Sequence, residues 1–366
     1  MRIVAAVAHE EDEPFTIEEL TLDAPRSDEL LVRIDAVGVC STDIAIRDQC
    51  LPVPLPAVLG HEGAGVVEAV GSQVSKVAPG DKVVLTYGSC GRCALCAGGH
   101  PAYCLELVGR NLSGGRPDGS NALHGDGGDI HGFFFSQSSF ATHAIATERN
   151  VVRLDDDVNL DIAAPLGCGI QTGAGAVMNR LRPEAGSSLA VFGLDAVGLA
   201  ALLAARAVGC ATIIAVDTEA ARLELARELG ATDTVNMSRV NPVSSITGLT
   251  GVGVCYAVVS SASPDVARQA VNSLAPLGTC ALLGRGPIGT ELSVTMTNLL
   301  IPGRTVTGVT EGDSRPDEFI PRLLALYQQG RFPLDQLIDT YALGDINRAI
   351  EDTESGKTIK AVLRPH

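Results

Sequence analysis

The chain has 366 residues, 46% of them hydrophobic, with 27 lysines and arginines against 43 aspartates and glutamates, a formal charge of −16. An acidic surplus without a basic block excludes nucleic acid or an anionic membrane surface as the main partner. No apolar run approaches the roughly 20 residues of a membrane span, and MRIVAAVAHEEDEPF lacks a signal-peptide pattern, so a cytoplasmic protein of two domains is expected.

In chain order, IVAAV, ELLVRIDAVGV, GAGVVEAVG, DKVVLTY and FATHAIA are short β-like runs broken by Gly, Pro and Asp, which predicts a β-rich, barrel-like first domain. The glycine-rich stretch from Gly109 to Gly132 reads as a long loop, mobile or part of a site. From about residue 187 strands and helices alternate: SLAVFG, AVGLAALLAARAVG, TIIAVD, TEAARLELARELG and DTVN, continued by VCYAVVSSA, SPDVARQAVNSLA and GTCALLG. That pattern predicts α/β wiring on a doubly wound parallel sheet. The tail, PDEFIPRLLALYQQGRF and GDINRAIEDTESG, predicts amphipathic helices returning to the first domain.

The 10 cysteines belong to a chain that is neither small nor secreted, so their spacing matters more than their number. Cys90, Cys93, Cys96 and Cys104 put four thiols within fifteen residues. Soft thiolates at this spacing close a tetrahedron around Zn²⁺ and leave no position for solvent, which predicts a structural zinc site. Cys40, the Gly60-His61-Glu62 step and Cys168 are individually weak signals, since a lone cysteine is more often an apolar filler. Cys50, Cys210, Cys255 and Cys280 are read as fillers.

GHEGAGVVEAVG, CGRCALCAGGHPAYC and LGCGIQTGAGA, in that order, resemble the zinc-dependent alcohol dehydrogenases of the medium-chain dehydrogenase/reductase superfamily, and the likeness runs over essentially the whole chain. RDQCLPVPLPAVLGHEGAG, GRPDGSNALHG and FFFSQSSFATHAIATERNVV look most like the aryl (benzyl) alcohol dehydrogenases. The resemblance implies a GroES-like catalytic domain over 1–166, an NAD-binding Rossmann domain over 167–311, and a C-terminal stretch over 312–366 returning to the catalytic domain. It makes Cys40, His61 and Cys168 the ligands of a catalytic zinc open to water or the substrate oxygen, hence two zinc ions per chain. Glu62 would approach the metal during ligand exchange, Asp43 would hold the other nitrogen of His61, and Thr42 would take the alcohol proton. Ala45 replaces the outer relay histidine of the animal enzymes, and Ser41 stands where relatives often carry His or Arg.

Gly193-Leu194-Asp195-Ala196-Val197-Gly198 follows a strand and opens a helix, the context in which glycines and free N–H groups receive a dinucleotide pyrophosphate. Asp217, nineteen residues beyond Gly198, can accept both ribose hydroxyls and repel a 2′-phosphate, which predicts NAD. By resemblance, Arg222 lies near the adenosine ribose and Lys360 reaches the pyrophosphate. Asp195 replaces the middle glycine. A carboxylate about 5 Å from a phosphate charge costs roughly 3 kcal/mol at an effective dielectric of about 20 and predicts weak NAD binding; turned outward, Asp195 would instead cap the helix.

Leu51, Pro52, Thr86, Tyr87 and Phe140, with Phe133 to Phe135 close by, are candidates for a pocket wall suited to a bulky primary alcohol. The expected function is reversible NAD-linked oxidation of an aryl or similar alcohol to its aldehyde. The rivals are a nicotinoprotein-like dismutase that never releases its NAD and a redox-inactive binding member of the family. His124 and His131, within the glycine-rich stretch, are the histidines outside the metal set that merit testing. LLIPGRTVTGVTEGD matches the segment that joins the sheets of relatives, which implies a homodimer or homotetramer.

Overall fold

Glu29–Gly38 reads ELLVRIDAVG, and its apolar positions are buried on both faces, which suits a strand shared by several neighbours. In the computed structural model, which describes all residues Met1–His366, this strand pairs with Gly63–Val70, His143–Thr147 and Lys360–Arg364. Val151–Arg153, Lys82–Leu85 and Ile338–Ala342 complete a seven-stranded sheet. Its register shifts at Leu31/Val32 and Ile34/Ala36, and bulges of this kind bend a strand and let a sheet curl around its core. A second sheet runs in the order Ala57–Val58, Arg2–Ala8, Thr16–Leu22, Leu123–Gly125, Gly128–Ile130. Val7, Leu20, Leu30, Val32, Ile34 and Phe140 lie in one fully buried core with no accessible surface.

The stretch read as a long loop is more ordered than its glycines suggested. Leu123–Gly125 and Gly128–Ile130 form a hairpin that extends the second sheet. Arg116, 2% exposed, donates Nε and Nη2 to Glu29 at 2.7 and 3.0 Å and Nη1 to Asp23 at 3.1 Å. A buried guanidinium with two carboxylate partners pins the segment.

The other sheet is parallel throughout, in the order Asp233–Asn236, Thr212–Asp217, Ser188–Phe192, Val254–Val259, Leu274–Leu282, Thr305–Gly308. Its inner strands read as near-continuous apolar runs, as they must when helices cover both faces. The chain separates into two units: Met1–Cys168 with Arg315–Leu324 and Leu334–His366, and Gly169–Ser314 with Ala325–Pro333. The tail therefore does not return wholly to the first unit, because Ala325–Pro333 groups with the second. Of the four thiols read as fillers, only Cys280 is buried; Cys210 is half-buried, and Cys50 and Cys255 are exposed.

Candidate active site

In the first unit, Cys40 is the residue before the short helix Ser41–Arg47, whose first turn carries Asp43. Asp43 is completely buried. One oxygen accepts the Cys40 backbone N–H at 3.0 Å; the other accepts Gly60 N–H at 3.1 Å and His61 Nδ1–H at 2.8 Å. A single carboxylate thus fixes two candidate ligands and turns Nε2 of His61 the other way. That Nε2 is buried with no partner. The donor atoms of Cys40, His61, Glu62 and Cys168 all lie within 4.8 Å of one another, and all four residues are buried.

The Cys168 thiol, with the charges of His61 and Lys360, holds the Cys40 thiol well below its ordinary range against the effect of burial. Burial works against a charged His61, but the Asp43 carboxylate and Cys40 more than offset it and raise the imidazole. Two soft sulfur donors, an oriented imidazole and its orphaned ring nitrogen fit Zn²⁺.

Glu62 is also fully buried, and its oxygens meet Lys360 Nζ at 2.9 and 2.7 Å. The ammonium donates to Val39 O as well, at 2.9 Å, and is 2% exposed. Burial opposes that charge; Glu62 and Cys40 outweigh it and hold Lys360 above the ordinary lysine value. In this structure the donors of Lys360, expected at a pyrophosphate, are turned inward onto the carboxylate beside His61. Gly38 is the glycine this requires, since a β-carbon there would lie 2.0 Å from Glu62 Oε2.

The four-thiol lobe assembles as its spacing predicted. The donor sulfurs of Cys90, Cys93, Cys96 and Cys104 lie within 4.8 Å of one another. Backbone N–H groups of Cys90 and Glu106 point at Cys104 Sγ (3.2 and 3.4 Å), and that of Cys93 points at Cys90 Sγ (3.3 Å). Within the lobe the backbone N–H groups of Leu105 and Cys96 lower Cys93 to about 6, whereas burial and the neighbouring sulfurs push Cys96 up to about 12.

The aromatic wall differs from the one expected. Phe140 is fully buried, set edge-on to Phe15 at 5.7 Å, and belongs to the core. Thr86 is buried too, and its hydroxyl donates to Gly167 O at 2.7 Å, bracing the segment that leads to Cys168. Tyr87 borders a cavity of about 250 Å³ shared with Cys96, Arg149 and Arg315. Leu51 is half-buried against the core. Phe135 is the ring that meets the metal set, with its centroid 4.4 Å from that of His61; Phe134 stands edge-on at 5.3 Å. Sequence reasoning also missed Gln137, 2% exposed. Its amide donates to His61 O at 2.9 Å and Thr86 O at 3.2 Å, and its carbonyl accepts from Gly63 N at 3.1 Å. Thr42 is half-buried on the helix beside Cys40.

In the second unit, Gly193 ends the strand Ser188–Phe192 with φ +90°, a conformation that suits glycine. Asp217 accepts Leu194 N–H at 2.7 Å on one oxygen and Glu219 N–H at 2.9 Å on the other. It ties the glycine loop to the end of its own strand while keeping lone pairs on both oxygens. Asp195 takes the capping arrangement: it is the N-cap of the helix Ala196–Val208, and Oδ1 accepts Gly198 N–H at 2.9 Å. Arg222 is half-buried, and its Nε has no partner.

A buried thiolate and imidazole centre in one unit, and a parallel sheet with a glycine loop at a helix start in the other, define a metal-dependent dehydrogenase that works with a dinucleotide. Residues 26–156 match the alcohol dehydrogenase GroES-like domain, and 196–329 match the zinc-binding dehydrogenase domain. Geraniol dehydrogenase of Castellaniella defragrans is 45% identical over 98% of this chain and 96% of its own. The solved benzyl alcohol dehydrogenase of Acinetobacter calcoaceticus superposes with a TM-score of 0.97 at 46% identity, covering 100% of this chain and 99% of that one. An alcohol dehydrogenase zinc-binding domain protein from Burkholderia ambifaria gives 0.98 at 50% identity, with 100% of both chains covered. The chain belongs to the zinc-dependent alcohol dehydrogenases of the medium-chain superfamily. Membership brings zinc and a nicotinamide cofactor, and no helix is long and apolar enough to cross a membrane.

Proposed function

We propose that the protein is an NAD-dependent dehydrogenase that reversibly oxidises a bulky primary alcohol, aryl or allylic, to its aldehyde. The observation that carries this reading is the Phe135 ring lying tilted over His61, with centroids 4.4 Å apart, which gives the metal set an aromatic flank. Relatives named for geraniol and for benzyl alcohol, a terpenoid and an aryl substrate, support the same class.

Cys40, His61 and Cys168 would hold one zinc ion, and the four-thiol lobe a second. Zinc, when bound at the first site, supplies a Lewis acid that lowers the pKa of an alcohol, and the nicotinamide accepts the hydride. Asp43 orients His61, Thr42 receives the alcohol proton, and Glu62, balanced by Lys360, places a carboxylate beside the ligands. Leu51 and Phe135 flank the substrate. The loop Gly193–Gly198 seats the pyrophosphate, with Val197 in its first helical turn and Arg222 toward the adenosine ribose. Asp217 binds the ribose hydroxyls and disfavours NADP.

The assay is an initial-rate panel of benzyl alcohol, geraniol and ethanol with NAD and NADP, beside a zinc count. The expected result is kcat/KM for the two bulky alcohols at least about 100-fold above ethanol, preference for NAD, and two zinc ions for the two clusters. Equal use of ethanol would refute the substrate class.

The same unit supports a homo-oligomer, a homodimer or homotetramer. Thr305–Gly308 is the outer strand of the parallel sheet, and Leu277, Met296, Leu300 and Ile301 are each about 80% exposed. An unpaired edge beside bare apolar side chains suits a second copy; a monomer by sedimentation would refute it.

A further inference from the structure

Asp195 has φ −72° and ψ −175°, ordinary extended backbone that any residue adopts. The position therefore makes no conformational demand for glycine, and its side chain is what distinguishes it. That carboxylate accepts from Gly198 N at the start of a 13-residue helix, where a dinucleotide pyrophosphate would take its own hydrogen bonds.

The loop itself has no slack with which to move away. A β-carbon on Gly198 would lie 1.9 Å from Gly193 O, and one on Gly193 would lie 2.5 Å from Ser260 Oγ. Asp217 holds Leu194 N from the other side at 2.7 Å. Ser260 Oγ is buried against these glycines without a partner and fills the space beside them. With the backbone packed on both sides, room and charge for a phosphate must be found by turning the Asp195 side chain.

We propose that the Asp195 carboxylate is a built-in occupant of the phosphate seat, capping the helix in the nucleotide-free protein and swinging out when a dinucleotide binds. This rests on the reading of the unit as an NAD site. Cofactor affinity is then lowered by the cap that must be released, a factor of roughly 2- to 30-fold for an N-cap, and further by the charge that stays nearby.

The test uses the full-length, zinc-loaded protein, NADH fluorescence titration, adenosine as a probe lacking the pyrophosphate, and melting without nucleotide. Asp195→Asn keeps a capping oxygen and removes the charge; Asp195→Ala removes both. The expected NADH dissociation constant falls about threefold in Asp195→Asn and tenfold or more in Asp195→Ala, while adenosine affinity moves less than about twofold. The nucleotide-free Tm stays within about 1 °C in Asp195→Asn and drops by about 2–4 °C in Asp195→Ala. NADH affinity that is equal in all three proteins, or weaker in the variants, would overturn the proposal and leave the NAD reading intact. Failure of NADH and NADPH to bind both wild type and Asp195→Ala would overturn the reading beneath it.

Discussion

Asp43→Asn tests whether the metal centre is built by its supporting carboxylate. Asp43 accepts three hydrogen bonds in a site closed to water, from Cys40 N, Gly60 N and His61 Nδ1 at 3.0, 3.1 and 2.8 Å. Asparagine keeps the shape and the oxygen facing Gly60 and His61, but sets an NH₂ group against the Cys40 N–H. One buried bond is lost with both ends desolvated, about 1–3 kcal/mol, and the bond to His61 loses its charge assistance, about 1 kcal/mol more. The sum, about 2–4 kcal/mol, lies below the roughly 5–15 kcal/mol that holds a protein folded, so the variant folds. Loss of the group that orients a ligating imidazole weakens metal binding about 10- to 100-fold. The assay follows zinc release to a chromophoric chelator, with the four-thiol lobe as internal reference because its donors touch none of these atoms. One zinc should leave early and the other at the wild-type rate. If Tm falls while both ions leave at wild-type rates, Asp43 supports the fold and not the ligand.

Phe135→Ala removes the ring that lies on His61; kcat/KM for benzyl alcohol should fall about tenfold or more while that for ethanol changes less than about threefold, and parallel losses would show a folding defect instead. Arg116→Met strands the buried Glu29 carboxylate, costing about 3–5 kcal/mol in urea melts, and Arg116→Met with Glu29→Met should recover most of it; no recovery would mean that the guanidinium acts by packing on Phe133. His124 is raised by its bond to Asp129, then by Asp23, against slight burial. A raised histidine adds stability below its unfolded value of about 6.5 that is lost as pH rises through the folded value. Amides of residues 123–130 should therefore be better protected at pH 6 than at pH 8, after correction for intrinsic exchange, and His124→Asn should abolish the difference. The partly exposed groups and the competing hold of Arg116 on Asp23 make the effect small.

What could be read in the sequence follows how local each determinant is. The four-thiol lobe was legible from spacing alone because all its ligands fall within Cys90–Cys104. The parallel sheet was legible because each strand and helix repeats a short apolar period. Cys40, His61 and Cys168 form a set only through the fold, so they were found by resemblance. The Glu62 and Lys360 pair spans 298 positions, and no local pattern joins them.

The harder case is FFFSQSSF, where aromatic composition suggested a wall but could not say which ring forms it. Phe133, Phe135, Ser136 and Ser138 all have positive φ, between 51° and 62°. Non-glycine residues in that region cost roughly 1–3 kcal/mol each and persist only where the surroundings overdetermine them. Here the surroundings are polar side chains that look like surface residues. Ser138 Oγ donates to Val58 O at 2.6 Å and accepts Phe134 N–H at 3.0 Å, while Gln137 ties the segment to His61 O and Gly63 N. Serine and glutamine are buried because their hydrogen bonds hold a left-handed backbone, and that backbone turns Phe135 onto the imidazole and leaves Phe140 in the core. Gln137→Leu should accordingly lower both Tm and benzyl alcohol turnover, whereas a substitution that damaged only the core, such as Phe140→Leu, should lower Tm with kcat/KM nearly unchanged.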